Sequence, residues 1–406
     1  MDREDMYRLT SIFIALVAAC LALGSGFALG GEESLQPSGN VSVQHDSTGS
    51  WSDGRPEAPF DIREDVRRAQ DFLNHKRSGY TVTVERTTVL VRSRRGKTRE
   101  KVVRKKRIEP AFLLAVEDLK EKNLRLVRFT RRGCETDGFD VVMTRNNGVA
   151  SRFEVRYPEN MAVLALRTMV HSGEKGYKEV VYTPYSPAID TRQIREDGLN
   201  YLKQQIASAR MDLEDRGVKL RGFEGLPVDV APTDVSLVLS IIEHIDPQRF
   251  KISREGDEIK LVHEVLTIIG ANTVKAYAYA KSSAGARGLF QFIPGTYEMI
   301  QRKYRGAGLN KNFISGCSNH VNAAKAALLL FDSDLNDLPD NYLRAIGGDV
   351  RAVGRYLAAA YNCGSKRVER SARICADGWT CLLPEETKIY LSKFDAVWDL
   401  RQSLDR

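Results

Sequence analysis

The sequence predicts an α+β fold in which a mostly helical C-terminal domain follows a smaller α+β module. Three observations support this prediction. Short segments between residues 80 and 186 alternate apolar and polar residues, with the period of two that is typical of strands. Ahead of them, "DIREDVRRAQDFLNHK" at residues 61–76 has the apolar spacing of a helix. The chain from residue 232 onward is richer in alanine and in helical patterns.

The N-terminal segment is expected to lie outside both folded parts. Residues 1–30 join a charged head to an apolar run at 11–29, which predicts a signal peptide or a membrane anchor. "VAAC" at residues 17–20 also resembles a bacterial lipobox. Residues 31–60 are rich in Ser, Gly, Pro and Asp without apolar periodicity, as flexible linkers are. We therefore expect an exported protein of the periplasm or cell envelope, either released by cleavage or anchored in the membrane.

Residues 61–190 form the predicted α+β module, whose role the sequence does not reveal. "YTVTVERTTVLVRS" begins its strand-like pieces, and "LRLVRFT", "FDVVMTR", "SRFEVRY" and "KEVVYTPYS" continue them. A basic run at residues 94–107 lies between the first two pieces. We interpret this run as a solvated hairpin, with contact to anionic glycans or headgroups as the alternative. The net charge of +8 for the whole chain indicates an anionic partner or surface.

Residues 191–231 are a predicted helix and linker, and residues 232–406 are the predicted helical domain. The helix covers about residues 195–216, and Gly and Pro residues in "GFEGLPVDVAPTD" mark the boundary. "VSLVLSIIEHIDPQRF" then has the apolar spacing of one buried helix face. Pro247 disfavours helix at the residue before it, so Glu243 is expected in the last turn.

The cysteines and histidines provide no metal site. Cys375 and Cys381 are close enough to form a small-loop disulfide in an oxidising compartment, and two free thiols remain an equal alternative. No CxxC pair is present, and "HEVLT" lacks the second histidine of an HExxH zinc site. We therefore predict neither a metal nor a cofactor.

Three blocks of the helical domain resemble the soluble lytic transglycosylases of the lysozyme-like superfamily. They are "SSAGARGLFQFIPGTY" from residue 282, "YLAAAYNCGSKRV" from residue 356 and "LPEETKIYLSKF" from residue 383. In that family an acid-bearing helix ending in Glu-Ser comes first, followed by a Gly-Leu-Met-Gln loop, Ala-Tyr-Asn and a Glu-Thr…Tyr helix. The resemblance implies a lysozyme-like fold for about residues 232–406.

The acid of the family pattern is displaced along this sequence. "GANTVKAYAYAK", just before the loop, contains no carboxylic acid, whereas "IIEHIDPQRF" matches the acid-bearing helix with His244 in place of Ser. About thirty inserted residues thus separate Glu243 from the loop, and we expect residues 251–281 to form a packed lobe that lines or caps the groove. Isoleucines around Glu243 would desolvate its carboxyl group and raise its pKa, which suits a general acid. Glu264, inside the insertion, is the rival acid.

The resemblance also assigns residues that bind the glycan. In the family the hydroxyl of the Tyr-Asn pair orients the acid, which implies that role for Tyr361, while Tyr390 is expected in the groove. The substrate-binding residues implied by the resemblance are Ser282, Ser283, Gln291, Tyr361, Asn362 and Tyr390.

The activity that the resemblance implies is cleavage of the MurNAc–GlcNAc bond of peptidoglycan with formation of 1,6-anhydro-MurNAc. A single glutamate suffices as acid and base, because the C6 hydroxyl of the sugar is the attacking group and no carboxylate nucleophile is needed. Two alternatives remain, a hydrolase similar to goose-type lysozyme and a catalytically silent glycan-binding protein. The expected partner is the glycan strand of peptidoglycan, and no nucleic acid is expected.

Overall fold

The computed structural model describes residues 61–92, 98–171, 176–224, 232–254, 256–375 and 378–404. Residues 58–406 form one compact unit. Within it, a sheet-rich part precedes a helical part, so the predicted α+β fold class is confirmed. The N-terminal segment with its predicted signal or anchor, and the linker at residues 31–60, lie outside the described residues.

The sheet-rich part contains helix α1, Ile62–Asn74, and nine strands among the described residues. The strands are β1 Tyr80–Arg92, β2 Thr98–Pro110, β3 Phe112–Asp118, β4 Leu124–Thr130, β5 Gly133–Cys134, β6 Asp140–Arg145, β7 Arg152–Tyr157, β8 Met161–His171 and β9 Tyr177–Tyr182. Five of them form an antiparallel sheet in the order β5-β4-β3-β8-β9, while β1–β2 and β6–β7 are two-stranded ribbons. The strand-like pieces predicted from alternation therefore all become strands.

The five-stranded sheet is covered on both faces. On one face, α1 is capped by the Asp61 side chain and packs Val66 and Leu73 against β3 and β8. On the other face, Phe153 of the β6–β7 ribbon enters the core together with Ile268 from the helical part. Because β3 and β8 are covered on both sides, their residues are apolar almost without alternation.

The basic run belongs to the β1–β2 ribbon. The two strands pair antiparallel over their full lengths, from Tyr80 opposite Pro110 to Arg92 opposite Thr98. The hairpin interpretation is thus confirmed for the described residues. Residues 80–110 contain eleven Lys or Arg and three Glu, so their net charge of +8 (11 − 3) equals that of the whole chain.

The helical part is built around α3 and α8. Its helices are α2 Arg192–Asp215, α3 Pro232–Ile242, α4 Pro247–Ile252, α5 Glu258–Asn272, α6 Pro294–Lys303, α7 Phe313–Ser318, α8 His320–Asn336, α9 Asp340–Ile346, α10 Val350–Cys363, α11 Ser365–Ile374 and α12 Glu385–Leu404. Even Ser236 and Ser240 on α3 are fully buried, so this helix is covered all round. The sequence predicts that one face of this helix is buried, whereas all its faces are covered because α3 lies in the centre of the domain.

The inserted residues form the core helix α5 and not a separate lobe. Glycines let α5 lie against α2, because a Cβ on Gly270 would come within 2.0 Å of the Ile194 carbonyl oxygen. The side chain of Asn272 accepts from the Thr183 amide at 2.7 Å and donates to its carbonyl at 2.9 Å, which ties α5 to the sheet-rich part. The insertion is packed, as expected. Its apolar residues belong to the hydrophobic cores of both parts, and the Ala280 carbonyl near its end accepts from the Gly288 amide of the loop at 3.2 Å.

Two further expectations concern cysteines and membrane spans. Cys375 and Cys381 are disulfide-bonded across the connection between α11 and α12. No helix in the described part of the chain is both long and apolar enough to cross a membrane. The apolar run at residues 11–29 is not among those residues.

Candidate active site

Glu243 lies where the central helix α3 ends. The regular helix stops at Ile242, and the Glu243 amide still donates to the Leu239 carbonyl, with N and O 3.1 Å apart. The Asp246 side chain then caps α4, whose first residue is Pro247. Glu243 is therefore held in the last turn of an apolar helix, the position that the sequence indicates.

The environment of the Glu243 carboxyl group favours its protonated form. Its pKa is raised to about 7, mainly by desolvation and also by the nearby charge of Glu386. Two groups act in the opposite direction. The Tyr390 hydroxyl donates to Oε1 at 2.7 Å, and the positive charge of Lys393 favours the carboxylate. A carboxyl group with this pKa is partly protonated at neutral pH, which is the state that a general acid needs.

Two tyrosines approach Glu243, and they differ in what their hydroxyl groups bond. Tyr390 on α12 donates to the Glu243 carboxyl group, whereas Tyr361 on α10 donates to the carbonyl of Phe290 in the loop. Burial raises the pKa of both phenols, and the charge of the nearby Glu243 raises it further. The sequence analysis assigned the orienting hydroxyl to Tyr361. The structure corrects this assignment, because Tyr390 bonds the acid and Tyr361 fixes the loop.

The loop at residues 282–292 is folded by its own hydrogen bonds. The Ser282 hydroxyl accepts from the Ala286 amide at 3.0 Å. Gly288 has a φ of +76°, and a Cβ there would lie 2.0 Å from the Cys317 carbonyl oxygen, so only glycine fits. Gln291, with a φ of +44°, donates its side-chain amide to the Gly288 carbonyl at 2.7 Å. The glycine-rich sequence thus produces a tight loop seated on α7.

His244 connects the turn of the acid to this loop. Its Nε2 lies 2.8 Å from the Leu289 carbonyl oxygen, so Nε2 carries the proton and donates. The ring stacks on Tyr277, with centroids 3.6 Å apart and planes 9° from parallel. Desolvation lowers the pKa of His244 to about 3, so the imidazole is neutral. The histidine that departs from the family pattern therefore links the loop to the turn of Glu243, and Tyr277 brings the insertion into contact with this histidine.

The other expected substrate-binding residues surround this centre without bonding the acid. Ser282 and Gln291 form bonds within the loop, and Ser283 is exposed beside them. The Asn362 side-chain oxygen accepts from the Thr387 hydroxyl at 2.7 Å, which joins α10 to α12. The structure thus brings Glu243, Tyr361 and Tyr390 into direct proximity and places the loop beside them.

Glu264, the rival acid, is in a different environment. Its two carboxyl oxygens accept from Arg249 at 2.6 Å, and Oε2 also accepts from Arg152 of β7 at 2.6 Å. These hydrogen bonds and charges outweigh desolvation and lower the pKa of Glu264. Glu264 is therefore a carboxylate at neutral pH and has no proton to donate. Its bonds join the sheet-rich part to α4 and α5.

Sequence reasoning missed two residues of the site, Lys393 and Tyr277. Lys393 is 4% exposed and lies on the same helix as Tyr390. Its position three residues after the tyrosine was the only sequence signal available. Among the described residues, no cluster of three or more His, Cys, Asp or Glu side chains is suited to a metal ion.

Glu243 thus lies at the end of a central apolar helix, beside a glycine-containing loop and two tyrosines. Residues 272–377 match the family model described as Transglycosylase SLT domain. The match covers 106 of the 406 residues (377 − 272 + 1), and it supports an SLT-type domain with a lytic transglycosylase-type function in this part of the chain. The match starts 29 residues after Glu243 (272 − 243), so it includes the loop and Tyr361 but not the acid-bearing helix. Comparisons with curated proteins and with solved structures found no match.

Proposed function

We propose that the protein is a peptidoglycan lytic transglycosylase that cleaves the MurNAc–GlcNAc bond, with Glu243 as its single acid and base. The main supporting observation is the Glu243 carboxyl group, which has a pKa raised to about 7 and accepts a hydrogen bond from Tyr390 beside the SLT loop. Glu264 is a poor candidate for this role, since two arginines keep it ionised.

The proposed reaction needs one proton carrier. Glu243 gives its proton to the glycosidic oxygen as the bond from that oxygen to C1 of MurNAc breaks. The C6 hydroxyl of the same sugar then bonds to C1 and closes the anhydro ring. Its proton passes to the Glu243 carboxylate, which restores the acid. Tyr390 orients the carboxyl group throughout, and Ser282, Ser283, Gln291, Tyr361 and Asn362 are the proposed glycan-binding residues.

Muropeptide analysis by mass spectrometry tests this proposal against both alternatives. The parent protein is expected to release anhydro-muropeptides, which are lighter by one water than the products of hydrolysis. Products with a reducing end would instead indicate a goose-type lysozyme reaction. Protein that binds peptidoglycan and releases nothing would be a silent glycan-binding protein.

The variant Glu243→Gln tests the role of the acid. Glutamine can still accept the Tyr390 hydrogen bond through its oxygen but has no proton to transfer, so fragment release should stop while the fold remains. Glu298→Gln is the matched control, because Glu298 on α6 has a 61% exposed side chain and only a 3.8 Å ion pair to Arg302. The assignment is wrong if Glu243→Gln releases fragments at the rate of this control.

The substrate implies a location outside the cytoplasm. We infer that the protein is exported to the periplasm or cell envelope through residues 1–30, by a cleaved signal or by an anchor at residues 11–29. Glycan strands of peptidoglycan are the proposed partner. Fractionation of cells that express the full chain, with a variant lacking residues 1–30 beside it, tests this location.

A further inference from the structure

Lys393 is a buried cation placed at the backbone turn that carries Glu243. Its Nζ donates to the Ile245 carbonyl at 2.6 Å and lies 3.5 Å from the Ile242 carbonyl. These two carbonyls stand on either side of Glu243 in the chain, at the end of α3 where the helix dipole favours positive charge. In the described part of the protein, no carboxylate lies within ion-pair distance of this ammonium group. A cation without an ion pair is rare in a protein interior and suggests a function.

The helix α12 carries three groups that affect the ionisation of the Glu243 carboxyl group. Glu386, Tyr390 and Lys393 have the spacing i, i+4 and i+7, which places them on one helix face. Tyr390 bonds the Glu243 carboxyl group, Lys393 stabilises its charged form, and Glu386 opposes that form. The hydrogen bond and the two charges that affect Glu243 therefore all come from the single helix α12.

We propose that Lys393 is a positioning residue, which fixes the turn of Glu243 and stabilises the carboxylate that exists after the proton has been given to the leaving group. This inference depends on the proposed function, since it explains how one glutamate serves first as acid and then as base. Desolvation by itself raises the free energy of the Glu243 carboxylate and therefore opposes transfer of the proton to the leaving group. The ammonium group offsets part of that cost at the step where the charge appears.

The other charged groups around Lys393 are consistent with this role. The negative charges of Glu243, Asp246 and Glu386 all raise the pKa of the ammonium group. Burial outweighs them and lowers the pKa of Lys393 to about 8, which is still above the value of about 7 for Glu243, so the side chain is mostly charged at the pH where Glu243 is half ionised. His244 is neutral in this range, and so are the phenols of Tyr361 and Tyr390.

The test is the pH profile of fragment release for Lys393→Gln and Lys393→Arg. Glutamine can still donate to the Ile245 carbonyl but has no charge. Its loss of charge should raise the pKa of Glu243, so the alkaline limb of kcat/KM moves up by about one pH unit. The value of kcat should fall about tenfold or more, because the carboxylate is less stable. Arginine restores the charge and should return the limb toward that of the parent.

Lys388→Gln is the matched control, since Lys388 is on the same helix with a 44% exposed side chain. Its pH profile should equal that of the parent. A Lys393→Gln variant whose alkaline limb stays at the parent position would overturn the inference, whatever its activity, because a purely structural lysine leaves the limb unmoved. If that variant does not fold, NMR titration of the Lys393 ammonium group in the parent and in Glu243→Gln decides the question, because two interacting charges affect each other reciprocally. A pKa of Lys393 that is the same in both proteins would contradict the inference.

The result separates this inference from the proposed function. If Glu243→Gln is inactive and Lys393→Gln keeps the parent pH limb, only the role of Lys393 is lost. If Glu243→Gln remains active, the proposed function itself fails.

Discussion

Two glutamates of the helical part, Glu243 and Glu264, have opposite acid–base properties. Glu264 is the less exposed, at 8%, yet its pKa is lowered, whereas that of the partly buried Glu243 is raised to about 7. The difference lies in their neighbours. Glu264 accepts charged hydrogen bonds from Arg249 and Arg152, while the hydrogen bond to Glu243 comes from an uncharged phenol.

The comparison shows that burial does not by itself make a catalytic acid. A buried carboxylate with two arginines stabilises the fold and stays ionised, because the favourable charge interactions exceed the desolvation cost. A carboxyl group with one phenol and a lysine held by backbone carbonyls keeps its proton near neutral pH. In this fold, the first arrangement joins two parts of the molecule, and the second is next in sequence to His244, which donates to the Leu289 carbonyl in the loop.

The largest expected effect is the difference in activity between Glu243→Gln and Glu264→Gln. Loss of the proton carrier should reduce fragment release about a thousandfold or more. The Glu264 variant should keep most of its activity at a temperature where it is folded, because that side chain is ionised and bonded to two arginines. Initial rates on isolated peptidoglycan, corrected for folded protein by circular dichroism, measure both. A larger loss in the Glu264 variant would transfer the acid role to Glu264.

The same two variants should change stability in opposite directions. The folded pKa of Glu243 is above the unfolded value, so the folded state binds more protons and stability falls as pH rises from about 4.5 to about 7. Glu243→Gln removes this loss and should be more stable than the parent at pH 8, by about 1–3 kcal/mol. The difference should shrink toward pH 5.

For Glu264 the signs are reversed. Its folded pKa is lowered, so its contribution is present above the unfolded pKa and is lost as pH falls through the folded pKa. Glu264→Gln should therefore destabilise the protein at pH 7 by about 2 kcal/mol, less than for a fully buried pair, because the Arg249 side chain is 40% exposed. Urea unfolding at several pH values measures both variants. If the stability differences of the two variants from the parent changed in the same direction with pH, the comparison would be contradicted.

The position of Glu243 in the last turn of an apolar helix was predictable, because the signal is local. An apolar helix, a glutamate in its last turn and a following proline all lie within sixteen residues of "VSLVLSIIEHIDPQRF". The strands and the hairpin were predictable for the same reason, since alternation is a local pattern. The surroundings of the acid were not local. Tyr390 is 147 residues from Glu243, and Arg152 is 112 residues from Glu264.

The two errors of the sequence analysis have the same origin. Which of two tyrosines reaches the acid depends on how α10 and α12 cross, and neither helix pattern contains that information. Likewise, α5 was expected as a lobe because it interrupts the family pattern, but its apolar residues face both α2 and the sheet. Tertiary packing decided both cases.

A smaller effect is expected from the two tyrosines. Tyr390→Phe removes the hydrogen bond that lowers the pKa of Glu243, so the alkaline limb should rise and the rate should fall about tenfold. Tyr361→Phe loses only the bond to the Phe290 carbonyl. It should raise KM through a loosened loop and leave the pH limb unmoved. The pH profiles of fragment release are measured for both variants. A shift of the alkaline limb in Tyr361→Phe alone would return the role of orienting Glu243 to Tyr361, as the sequence resemblance implied.

The smallest expected effect follows from removal of residues 1–30. Both glutamates, their arginine or tyrosine partners and the loop belong to the compact unit of residues 58–406. If residues 1–30 serve export or anchoring, their removal should leave the pKa values of Glu243 and Glu264 and the rate on isolated peptidoglycan unchanged. The full chain, by contrast, should partition with membranes or be cleaved on export. The measurement is the rate per mole of purified protein for both forms, with a sedimentation assay on membranes. A shortened protein that is soluble and folded but inactive on isolated peptidoglycan would show that this segment serves catalysis, and the export interpretation would have to be abandoned.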